Sequence, residues 1–185
     1  MKRQNGFTIT ELLVVMAIVA ILLGIGVPSY RYITNSYRLS AEVNSLSGDL
    51  QYARAEAVKE GQPVIVCTSN SGAACTNSTW NQGWIVFADL NNDGQVTTGG
   101  ANPESVLHVQ AAFTGTHPDT ITPSNAVNWI RFNREGFGTS AAGLVTTTFT
   151  LVDGSTGNAA YTRCLLLQPV GMVVIQTHAI NPTTC

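Results

Sequence analysis

The chain has 185 residues, a formal net charge of −2 and only 11% charged residues. That length suits one domain with a real core, and low charge with abundant Gly, Ser, Thr and Asn is typical of exported β-rich proteins rather than cytosolic enzymes. Beyond Gly61 the arginines Arg131, Arg134 and Arg163 face Asp89, Asp93, Glu104, Asp119, Glu135 and Asp153, an acidic balance that argues against binding nucleic acid.

Lys2 and Arg3 precede Gly6, and residues 7–27 then carry a single charge, Glu11. At ~1.5 Å per residue a helix of this length reaches the ~30 Å of a bilayer core, with its basic end on the cytoplasmic side. An ordinary secretory signal would be cut beyond the apolar run, where Gly24-Ile25-Gly26 offers a small-x-small site; a plain anchor would be kept whole. Neither gains from Glu11, because a carboxylate costs about 2.5–3.5 kcal/mol at the centre of a spanning helix, less near its end, and calls for a partner.

The stretch Gly6-Phe7-Thr8-Ile9-Thr10-Glu11-Leu12-Leu13 resembles the class III signal of type IV pilins and type II secretion pseudopilins. The resemblance implies a leader, residues 1–6, removed by a prepilin peptidase that cuts between Gly6 and Phe7 and N-methylates Phe7. It also implies that Glu11 pairs with the terminal amine of a neighbouring subunit, the kind of pairing a buried carboxylate needs. The protein would then sit in the bacterial inner membrane as a single-pass protein with its head in the periplasm, partnered by other major and minor pilins or pseudopilins.

Residues 7–28 are therefore expected to form the membrane-spanning or filament-core part of a helix, and residues 29–60 its amphipathic half. In the latter Leu39, Val43, Leu46, Leu50, Ala53 and Ala57 are spaced 4, 3, 4, 3 and 4, one apolar stripe. Pro28 is expected to kink or locally melt the helix, and Gly61 with Pro63 to stop it.

From residue 61 to 185 the pattern turns to β. Apolar runs at 64–67, 84–87, 106–109, 129–132, 149–152, 164–167 and 172–175 are separated by Gly, Asn, Asp, Ser and Pro, as in antiparallel strands. The fold class expected is α+β, a long N-terminal helix packed on an antiparallel sheet. Cys67, Cys75, Cys164 and Cys185 permit three pairings. We favour Cys67 with Cys75, closing a turn, and Cys164 with Cys185, pinning the terminus to a strand. A metal site from these cysteines with His108, His117 or His178 lacks any Cys-x-x-Cys or His-x3-His spacing, so no cofactor is expected.

Asp89-Leu90-Asn91-Asn92-Asp93-Gly94 opens like a calcium loop, with Asp89, Asn91 and Asp93 as ligands, but Gly100 stands where the closing acid belongs. A hairpin turn in which Asp93 and Gly94 supply positive φ is the preferred reading. The three histidines are scattered and no Gly-x-Ser-x-Gly elbow or paired acids occur, so no catalytic residue is assigned.

Residues 51–57 (Gln-Tyr-Ala-Arg-Ala-Glu-Ala), the run from Gly83-Trp84 to Asp93-Gly94, and Arg163-Cys164-Leu165 with Gly171 are similar to the minor pilin and pseudopilin family named for GspH, FimT and FimU. That resemblance implies a minor pilin that primes assembly of a type IV pilus, or alternatively a minor pseudopilin of a type II secretion system. It is modestly tilted toward the pilus by the cysteine pair near the C-terminus. A DNA receptor is a further alternative, since FimT-type members use a Gly-Arg-x-Arg motif; here the matching stretch is Gly171-Met172-Val173-Val174, which lacks both arginines. Arg131 and Arg134 are expected on a solvated face.

Overall fold

The computed structural model describes residues 8–99, 103–115, 118–178 and 185; Gly6, Phe7, Gly100 and His117 lie outside them. The contacts fall into two units, Met1–Arg38 and Leu39–Cys185. Helix α1, Ile9–Glu60, belongs to both and runs on through Pro28.

In the first unit the apolar side chains are uncovered: Leu12, Leu13, Met16, Ile21, Leu22 and Ile25 are all exposed. A helix apolar all round calls for apolar surroundings, and this one is long and apolar enough to cross a membrane.

In the second unit the predicted stripe is the seam of the core. Leu39, Val43, Leu46, Leu50, Ala53 and Ala57 are buried, and two antiparallel sheets close over them, where a single sheet was expected. The first has the order β3-β2-β1-β5-β6 and the second β4-β7-β8-β9. The strands are β1 (Val64–Thr68), β2 (Gly83–Ala88), β3 (Val106–Ala111), β4 (Thr120–Pro123), β5 (Trp129–Phe132), β6 (Gly138–Ser140), β7 (Thr147–Val152), β8 (Arg163–Leu167) and β9 (Val173–Thr177).

Alternation along these strands divides the apolar residues. Val64, Val66, Trp84, Val86, Ile130 and Phe132 of the first sheet join Ile121, Phe149, Leu151, Leu165 and Leu167 of the second in one core around the helix. Trp80, from a single 3-10 turn, ties the sheets together: its ring meets Phe149 edge-on at 5.0 Å and its indole N–H donates to Val127 O at 2.8 Å.

Ile65, Cys67, Ile85 and Phe87 point the other way and form a second cluster with Cys75, Val96, Val106 and Trp129. Strands β1 and β2 are thus covered on both faces, which is why they read as unbroken apolar runs. Both favoured disulfides are present: Cys67–Cys75 at S–S 2.02 Å and Cys164–Cys185 at 2.13 Å.

Candidate functional site

The first candidate is the start of α1. The Thr8 hydroxyl accepts the Glu11 backbone N–H at 3.2 Å, and Leu12 N–H donates to Thr8 O at 3.2 Å. Thr8-Ile9-Thr10-Glu11 therefore starts the helix as half of a capping box, a Thr-x-x-Glu signal that the reading of Glu11 as a site residue had passed over. Glu11 lies in the first turn, exposed, where the free N–H groups and the helix dipole favour a carboxylate. The helix itself thus lowers the cost of the charge before any neighbour contributes.

The second candidate lies in the long loop between β2 and β3. These strands pair as expected, but no tight hairpin turn joins them, and the positive-φ residues are Asn92 and Gly94, so Asp93 is not one of them. Asp89 is buried: Oδ1 accepts Asp93 N–H at 3.1 Å and Oδ2 accepts Gly94 N–H at 3.2 Å. Glu104 closes the loop in the acid's place, accepting Leu90 N–H at 2.7 Å, Asn91 N–H at 3.3 Å and Thr97 N–H at 2.9 Å.

Oxygens of Asp89, Asp93 and Glu104 lie within 4.8 Å of one another, a spacing a cation would accept. Asn91, the third predicted ligand, is exposed and spends its amide on Asp93, donating at 2.8 Å. The charge on Asp89 is already met by Arg131, whose Nη2 donates to Oδ2 while Nη1 donates to Asn92 Oδ1 at 2.8 Å. Arg131 therefore sits in an ion pair with a fully buried acid, correcting its expected place on a solvated face. Arg134 is exposed and pairs with Glu135 at 2.8 Å, as a turn residue should.

The third feature is the junction at Gly171. Arg54 Nε donates to Gly136 O at 3.0 Å, and a Cβ on Gly171, at φ 75°, would stand 2.3 Å from that same oxygen. The glycine that the DNA-receptor motif would start from is thus required by packing between two turns, and the side chains that follow it, Met172 and Val173, are apolar.

An N-terminal helix, apolar and uncovered at first and then seated under antiparallel sheets in a disulfide-bonded head, defines a pilin-like protein. A family model described as "Type II transport protein GspH" matches residues 42–171, and one described as "Prokaryotic N-terminal methylation motif" matches residues 1–27; the chain belongs to the GspH family. Two fimbrial proteins of Pseudomonas aeruginosa are each 37% identical over 95 residues, 51% of this chain and 58% of the relative. The chain thus spans little more than half the length of these relatives. Among solved structures, the type IV minor pilin FimU of P. aeruginosa shares the fold with a TM-score of 0.59 at 22% identity, over 83% of this chain and 98% of FimU. A second crystal form gives 0.51 at 20% identity, over 82% and 98%.

Proposed function

We propose that this chain is a structural, non-catalytic minor pilin that enters and helps prime a type IV pilus. The observation that carries the reading is Glu11 in the first turn of a helix whose next residues are apolar and uncovered. A lipid bilayer can cover such a helix, and so can the like helices of neighbouring subunits.

On this reading a prepilin peptidase cuts between Gly6 and Phe7 and methylates the new amine of Phe7. The helix holds the protein in the inner membrane with the head in the periplasm until assembly, when Glu11 meets the amine of a neighbouring pilin. Because the first turn already favours the carboxylate, the pairing sets axial register more than it rescues a stranded charge. Glu11→Ala should leave the protein in the membrane and reduce its crosslinking to other pilins; unchanged crosslinking would sink the role given to Glu11. The disulfides of the head suit an oxidising compartment.

The family description favours one rival, a minor pseudopilin of a type II secretion system. Deleting the gene and scoring piliation, twitching and protein secretion in one strain separates the two. Loss of secretion with intact pili would overturn the pilus assignment.

A further inference from the structure

The outer face of the first sheet, opposite α1, carries a cavity of about 280 Å³ between the loop that follows Cys67 and the loop that follows Asp93. The Cys67–Cys75 disulfide forms part of its wall, and the side chains that matter are Trp129, Asn77, Asn128, Gln95, Asp93 and Arg131. Strand alternation puts Trp129 and Arg131 there: Ile130 and Phe132 point into the helix-side core, so their neighbours on β5 point out.

The rim is already held in place. Asn128 donates to Asn77 through their side-chain amides, Asp93 accepts Gln95 N–H at 2.7 Å, and Arg131 is fixed by Asp89 and Asn92.

These groups select a ligand by elimination. A wholly apolar molecule would desolvate the polar rim without return. An anion meets Asp93, and a cation meets Arg131. A neutral ring carrying hydroxyls meets neither objection, since each hydroxyl both donates and accepts: it can donate to Asp93 or an amide oxygen, accept from Arg131 or an amide nitrogen, and lay its C–H face on the Trp129 indole. The volume lies just below the ~300–1,000 Å³ of small-molecule pockets, which limits the occupant to one or two rings.

We propose that this cavity binds a neutral saccharide, a role that does not depend on the place of the protein in a filament. The test uses the full chain in lauryldimethylamine oxide, a detergent without a sugar head group. N,N′-diacetylchitobiose and maltose are titrated separately while the indole N–H resonances are followed by NMR.

A saturable shift of the Trp129 signal at a Kd of about 1 mM, with the buried Trp80 and Trp84 unmoved, is expected from at least one sugar. Which one binds separates a cell-wall type of amino sugar from a plain hexose. Gln95→Ala, on an exposed loop, and Trp129→Ala should each weaken binding about tenfold, a loss of ~1.4 kcal/mol. If Trp129→Ala fails to fold, Gln95→Ala decides alone. No saturable shift with either sugar, affinity unchanged in folded variants, or saturation of the same signal by acetate in preference to sugars would overturn the proposal.

Discussion

The two faces of the first sheet are covered by different means. On the inner face Val64, Val66, Trp84, Val86, Ile130 and Phe132 meet a helix stripe from another part of the chain. On the outer face the cover is local and crosslinked: the Cys67–Cys75 loop, the Asp89–Arg131 ion pair and the Glu104-closed loop lie over four buried residues and a cavity. The inner face draws its stability from apolar area, and the outer face from covalent and ionic ties that hold an open surface in shape. The comparison can be broken wherever one face behaves like the other.

The largest effect is expected on the inner face. Leu46 is completely buried under the sheets, and Leu46→Ala should destabilise the head by about 2–5 kcal/mol in chemical denaturation, through lost transfer energy and the void left behind. Leu22→Ala, equally conservative but at an uncovered position of the same helix, should leave head stability within about 0.5 kcal/mol. Equal losses would mean that the N-terminal half of the helix carries the head after all.

On the outer face Asp89→Ala should cost about 3 kcal/mol, because it strands a mostly buried guanidinium and leaves the Asp93 and Gly94 N–H groups without their acceptor. Quarter exposure of Arg131 holds the loss to the low end of the range for broken buried pairs. Calorimetry on the variant, alone and with Arg131→Met, checks the cause: the double change should recover part of the loss. Replacing Cys67 and Cys75 together by Ala opens a loop closed over a separation of 8 residues, worth ~2.5 kcal/mol by loop entropy, a loss readable from the shift in urea midpoint.

The two faces were unequally legible in the sequence. The helix stripe was readable because its spacing is a local period, and all six of its members are buried. Runs of β-branched and aromatic residues marked seven strands, whereas β4, which ends in Pro123, and β6, of only 3 residues, gave too little pattern. The division into two sheets depends on pairing between distant strands, which no local pattern encodes. The same limit hid the outer site. Asp89, Asn91 and Asp93 stood out by spacing, but Glu104 and Arg131 reach them from 13 and 42 positions away. The alternation of β5 was the available clue, since Ile130 and Phe132 facing inward require Arg131 to face the loop side.

The smallest predicted effect lies at Asp49, in the half of α1 that packs on the first sheet. Asp49 Oδ2 accepts the Trp84 indole N–H at 2.8 Å, and its Oδ1 lies 3.4 Å from His108 Nε2 on the edge strand β3. Burial pushes the Asp49 carboxyl above its ordinary value, while the Trp84 bond and the charge of His108 pull it partly back. The folded protein therefore holds this proton more tightly than the unfolded chain, whose carboxyl titrates near ~3.9. By linkage, stability falls as pH rises from that value through the folded one, and the cost persists at neutrality. Asparagine keeps an acceptor for Trp84 and removes the charge that burial penalises. Asp49→Asn should raise the melting temperature at pH 7.5 by about 1–2 °C, with the gain shrinking toward pH 4. A fall at pH 7.5 would show that the pairing with His108 outweighs burial, and that the inner face, like the outer, is held by an ionic tie.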